Sequence, residues 1–223
     1  MTSAEQNNRR PLKARQWAIL QNMTEVIGKT SIHPNHISIS SIGFSALAAV
    51  CLWLTAGAKG SELWLYAWLV PVFLLGRGAC NILDGLVAVE GGKKTPSGEL
   101  FNDIPDRISD ILVLVAAGYA VASWPGGVTL GWAAALLAVM TAYVRTLARG
   151  MGLPADFQGP MAKARRMVLI AAGAGAIPLE IAFLPQGSTL YGALIVIVAG
   201  CLLTVYRRAR TAYRGLESGT GQG

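Results

Sequence analysis

Asp84, Asp103, Asp106 and Asp110 are the residues through which this chain could do chemistry. They lie within residues 81–110, NILDGLVAVEGGKKTPSGELFNDIPDRISD, in or beside stretches apolar enough to sit in lipid. A carboxylate in that setting is costly unless something positive holds it. At about 100° per residue, Asn81 lies about 40° from Arg77, and Asp84 about 20° to the other side, so the three share one helical face. Asn102, Asp106 and Asp110 then recur at i, i+4 and i+8, with Asp103 within about 100° of them. Two adjacent antiparallel helices with these faces present a set of oxygen ligands: Asn81, Asp84, Asn102, Asp103, Asp106 and Asp110. Such a set suits a hard divalent cation, Mg2+ or Mn2+, which keeps some waters and shares substrate phosphates. Lysines and arginines on the same face complement a diphosphate. The pattern points to metal-dependent chemistry on a phosphorylated substrate.

The elements that must position these residues are membrane helices. Of 223 residues, 53% are hydrophobic and 14% charged, with a mean hydropathy of +0.46. That is too little charge to cover a soluble globule of this size, and the composition reads as an integral membrane protein. The net charge of +7 is the orientation signal of basic membrane loops and a match to anionic headgroups, so no nucleic-acid partner is expected. Cys51, Cys80 and Cys201 each fall in an apolar run without a C-x-x-C pair, and read as small core residues. Residues 1–16 are polar and show no secretory signal, so the N-terminus is expected to be retained.

In order, a polar tail and an amphipathic interfacial helix carrying Trp17, Ile19, Leu20, Met23, Val26 and Ile27 are expected over residues 1–30. Residues 31–206 are expected to form a domain of six transmembrane helices, and residues 207–223 a basic, then flexible, tail. The spans are predicted at about 37–57, 63–88, 98–123, 128–147, 167–184 and 189–206, with a break at Pro34 and turns at 90–98 and at Pro125-Gly126-Gly127. His33 and His36 read as a polar interfacial turn rather than metal ligands. Six spans put both termini on one side. That side also holds Lys93, Lys94, Arg145, Arg149, Lys163, Arg165, Arg166 and the arginines from Arg207 to Arg214, whereas the opposite loops offer only Lys59. Both termini and the aspartate stretch are therefore expected at the cytoplasmic face.

The spacing also resembles a known family. CDP-alcohol phosphatidyltransferases carry D-x-x-D-G-x-x-A-R-x8-G-x-x-x-D-x-x-x-D. This chain reads Asn81-x-x-Asp84-Gly85-x-x-Ala88-Val89-x8-Gly98-x-x-x-Asn102-x-x-x-Asp106, with every spacing kept. The six-span layout and the start of the first span, Pro34-Asn35-His36-Ile37-Ser38, are similar too. Three identities depart: Asn81 and Asn102 replace acidic residues, and Val89 replaces the arginine.

The resemblance implies displacement of CMP from a CDP-linked donor, such as CDP-diacylglycerol, by an alcohol acceptor in phospholipid biosynthesis, within a bacterial-type inner or cell membrane. It implies Mg2+ or Mn2+ held by Asn81, Asp84, Asn102 and Asp106, with Asp103 and Asp110 making up the missing charge, and Asp106 as general base. Gly85, Ala88, Gly98, Lys93 and Arg77 would line the donor, and Lys163, Arg165 and Arg166 would meet the acceptor or its phosphate. Alternatives stay open at this level. Gly85 and Gly98 also suit helix packing, Arg77 suits a structural ion pair, and the basic cluster suits an orientation signal. The stretch AAGAGA, Ala171 to Ala176, suits helix packing, and a homodimer is the expected assembly. A catalytically silent membrane scaffold or a cation transporter would also bury carboxylates between helices.

Overall fold

The computed structural model describes residues 34–90 and 97–219. The expected interfacial helix, His33, Lys93 and Lys94 lie outside the described residues. Among those residues the secondary structure is helical: α1 (Pro34–Thr55), α2 (Gly60–Glu90), α3 (Gly98–Ala120), α4 (Gly127–Gly150), α5 (Lys163–Glu180) and α6 (Ser188–Glu217). α1, α2 up to Ala88, α4 and α6 are long and apolar enough to cross a membrane. The chain is thus a multi-pass membrane protein. α3, which carries Glu99, Asp103, Asp106, Arg107 and Asp110, and the 18-residue α5, which opens on Lys163, Arg165 and Arg166, pack among these four.

The helices close a ring in the order α1, α2, α5, α6, α4, α3, and α3 also touches α6 across it. Inside the ring lies an apolar core built from Leu52, Val70, Val113, Leu114, Ile170, Ile177, Leu190, Leu194 and Ile197. Outward side chains such as Trp53, Leu75, Leu136 and Val168 are exposed, as expected where lipid rather than protein covers the surface. The α3–α4 crossing depends on two glycines. A Cβ on Gly118 would meet Gly131 Cα at 2.8 Å, and one on Gly131 would meet Gly118 Cα at 2.6 Å, so only residues without side chains allow this approach. Within AAGAGA, Gly173 is used in the same way inside the chain, against Leu190 of α6.

One end of the bundle is closed by a local cap on α6 and by bonds that tie its turns together. Glu180, buried at the end of α5, accepts hydrogen bonds from the backbone N–H of Gly187, from the N–H of Thr189 at 2.8 Å and from its hydroxyl at 2.6 Å. These donors belong to the first turn of α6, whose N–H groups lack partners within the helix. Gln186 donates to the Thr55 carbonyl at 2.7 Å and accepts from the Trp124 indole at 3.0 Å, while Trp124 stacks on Tyr191.

The predicted spans coincide with helices, with two differences of extent: α5, expected at about 167–184, runs from Lys163 to Glu180, and the last helix is longer than expected. The last span was expected to end near Tyr206, but α6 continues to Glu217. Hydropathy falls at Arg207, yet alanine, arginine and leucine are good helix formers, and the helix ends only before Gly219, at φ +73°.

Candidate active site

The other end brings together the start of α1, the end of α2 and the starts of α3 and α5. Asp84, near the end of α2, is 5% exposed. Its Oδ2 accepts the Ser38 hydroxyl of α1 at 2.5 Å, which fixes the carboxylate's orientation. Asn81 lies one turn earlier on α2, half-buried. Asp106 of α3 is 6% exposed and accepts a bond from the Lys163 ammonium at the start of α5. Arg77 lies 3.9 Å from one of its oxygens and Arg107 3.7 Å from the other. Asp84 is within electrostatic reach of both Asp106 and Lys163. Asn102, one turn before Asp106, is exposed at the mouth of the same helix.

One turn deeper, Asp110 is fully buried. Its Oδ1 takes the Arg77 guanidinium of α2 at 2.7 Å, and its Oδ2 takes the Arg166 guanidinium of α5 at 2.6 Å. Both arginines are themselves buried. Arg166 also donates to the Met161 carbonyl at 2.8 Å. Asp110 thus ties three helices together, and both of its oxygens are taken by guanidinium groups. A buried pair of this kind is strongly destabilising to break, because the partner is left as an uncompensated charge.

Asp103 turns toward α4, where Arg145 reaches it at 3.3 Å and also lies over the Phe157 ring at 5.5 Å. At the rim, Arg149 bridges Glu99 at 3.0 Å. The three basic residues predicted as one acceptor cluster diverge. Lys163 points to Asp106, Arg166 is buried on Asp110, and Arg165 is exposed with a bond to the Pro160 carbonyl at 2.9 Å. Gly85, Ala88 and Gly98 are half-buried along α2 and at the start of α3.

Some contributors escaped the sequence reading. Ser38 had only its place in the Pro34-to-Ser38 start as a signal. Arg208 donates to the Gln158 carbonyl at 2.9 Å and to the Thr141 carbonyl at 2.5 Å, pinning the 151–162 loop against α4 and α6, and nothing separates it from the other arginines of its run.

Among the described residues, no three His, Cys, Asp or Glu side chains converge as a ready metal cluster. The centre instead offers two carboxylates, Asp84 and Asp106, with the amides Asn81 and Asn102 on the same helices. That composition matches a cation of the Mg2+ type, which is held by one or two protein carboxylates and filled out by water and substrate phosphate.

No family model matches the chain. It is 27% identical over 158 residues to the inner membrane protein YnbA of Escherichia coli K12, covering 71% of this chain and 72% of YnbA. Its structure superposes on phosphatidylinositol phosphate synthase (PgsA1) of Mycobacterium tuberculosis with CDP-DAG bound at a TM-score of 0.72 and 22% identity, covering 88% of this chain and 94% of PgsA1. The same synthase in complex with manganese and citrate gives 0.67 at 22% identity, over 87% of each chain. In apo form it gives 0.66 at 22% identity, over 88% of this chain and 95% of PgsA1. The ring of six helices among the described residues therefore has the fold of that synthase, a CDP-alcohol phosphatidyltransferase fold.

Proposed function

We propose that this chain is a membrane phosphatidyltransferase of the CDP-alcohol class, acting in phospholipid biosynthesis. The hydroxyl of an acceptor alcohol displaces CMP from a CDP-linked donor such as CDP-diacylglycerol and forms a phosphodiester. What carries the reading is Asp84 and Asp106, at the family spacing, at the charged end of a fold shared with a synthase solved with CDP-DAG.

Asp84 and Asp106, with the amide oxygens of Asn81 and Asn102, fit Mg2+ or Mn2+. Bound there, the cation would neutralise the donor diphosphate and stabilise charge on the departing CMP. The remaining tasks fall to the chain's own groups. Asp106 takes the proton of the acceptor hydroxyl. Ser38 holds Asp84 in register. Gly85, Ala88 and Gly98 leave room for the donor along α2 and α3. Lys163 brings positive charge to the donor phosphates, and Arg165, exposed beside it, serves the acceptor's phosphate or anionic headgroups. Arg77, Asp110 and Arg166 hold α2, α3 and α5 in place and do not touch substrate. Asp103 serves the α3–α4 contact through Arg145. The excess of basic residues at this end supports a cytoplasmic orientation of the site.

The test is CMP release from CDP-diacylglycerol by the purified full chain with Mg2+ or Mn2+ and a panel of alcohols. Release that falls at least about a hundredfold in Asp84→Ala and Asp106→Ala, with folding retained, supports the reading. No release with any acceptor, together with no binding of the CDP-lipid, rejects it in favour of a silent scaffold.

A further inference from the structure

We infer that the site takes one divalent cation rather than two, and that the Lys163 ammonium supplies the second positive charge. The inference rests on the phosphatidyltransferase reading and follows from the charges at its centre. Asp106 is already met by Lys163, with Arg77 at 3.9 Å and Arg107 at 3.7 Å. Both oxygens of Asp110 are taken by Arg77 and Arg166. Asp103 is bridged to Arg145. At this centre that leaves Asp84, whose side-chain donor is the neutral hydroxyl of Ser38 and which has no cation within ion-pair distance among the described residues.

Asn81 and Asn102 can lend carbonyl oxygens but no charge. One uncompensated carboxylate and the donor's diphosphate can balance a single dication. A second would need the Asp106 oxygen that Lys163 already holds, and would add two positive charges beside Lys163, Arg77 and Arg107 in a poorly screened setting. Lys163 is placed for the exchange this requires. An arriving diphosphate gives its ammonium a second anionic partner, and shifting toward the phosphate loosens its hold on Asp106 as the acceptor hydroxyl approaches. The residue at the start of α5 thereby links donor binding to the readiness of the base.

The test counts bound Mn2+. The full chain in nanodiscs of neutral phospholipid, with CDP-diacylglycerol present, is titrated with Mn2+ and free ion is read by electron paramagnetic resonance. The expected count is one Mn2+ per chain. Lys163→Met should admit a second ion and weaken binding of the CDP-lipid by roughly tenfold or more, from loss of a charge-assisted bond. Lys163→Arg should stay at one. Two ions on the unaltered chain, none at all, or a folded Lys163→Met chain that still takes one would each overturn the inference. If Lys163→Met does not fold, the count on the unaltered chain decides alone. CMP release is measured on the same samples. Two ions on a chain that releases CMP sinks only the single-cation inference, whereas one ion without CMP release or CDP-lipid binding removes the reading beneath it.

Discussion

The two ends of the bundle handle buried carboxylates in opposite ways. Glu180 is satisfied by groups within nine residues of it, two backbone N–H groups and a hydroxyl at the start of α6. Its charge is spent on closing a turn. At the other end, Asp84, Asp106 and Asp110 draw partners 29 to 57 residues away in sequence, from α1, α2 and α5, with the adjacent Arg107 as the one local addition at Asp106. There the interactions form a gradient. Asp110 is saturated by two guanidinium groups, Asp106 is shared among cations that can exchange partners, and Asp84 has one neutral side-chain donor. A carboxylate fully satisfied by its own neighbourhood is a structural part, and one left partly satisfied is available to a ligand. The contrast is the ground on which Asp84 and Asp106, rather than Glu180 or Asp110, are proposed for chemistry.

Three substitutions can break or sharpen this contrast. Asp110→Ala should have the largest effect on stability, about 3–5 kcal/mol, because it strands Arg77 and Arg166 in the core. A thermal melt in detergent would show the loss, and CMP release should fall with it, since α2, α3 and α5 lose their common tie. Glu180→Ala should cost about 1–3 kcal/mol, the penalty for unsatisfied donors at the start of α6. CMP release below the melting transition should then stay near that of the unaltered chain; a marked drop would mean the two ends are coupled. Arg149→Ala should be smallest, about 0–1 kcal/mol, because its bridge to Glu99 is solvent-exposed and screened. A change larger than that in the same melt would mean the rim contributes more than its geometry indicates.

What the sequence made legible follows from periodicity. Asn102, Asp106 and Asp110 could be placed on one stripe because a helix brings i and i+4 together, and the structure keeps them on one helix. The same stripe made Asp110 read as a ligand alongside Asp106. Periodicity gives a direction around the helix but not what meets the side chain there, and the deciding partner, Arg166, is 56 residues away. Lys163, Arg165 and Arg166 likewise form one basic run in sequence. Helical geometry sends Lys163 and Arg166 inward, three residues apart, and leaves Arg165 outside. Glu180 was unreadable as a cap because it sits among apolar residues, and the N–H groups it satisfies carry no side-chain signature. The length of α6 was missed for a different reason. Hydropathy marks where an apolar environment ends, whereas the helix persists until a residue breaks it.

The two-sided tie at Asp110 also bears on how the protein is made. Arg77 leaves the ribosome before Asp110, and Arg166 well after it. α2 and α3 can therefore enter the bilayer with the deepest carboxylate already neutralised by Arg77, avoiding much of the cost of an unpaired acid in lipid. Arg166 has no such partner waiting on its own helix, and α5 becomes fully settled only when it docks against α2 and reaches Asp110 of α3. Asp110 thus sets an order of assembly as well as a final arrangement, with the earlier helices preparing the place that the later one completes.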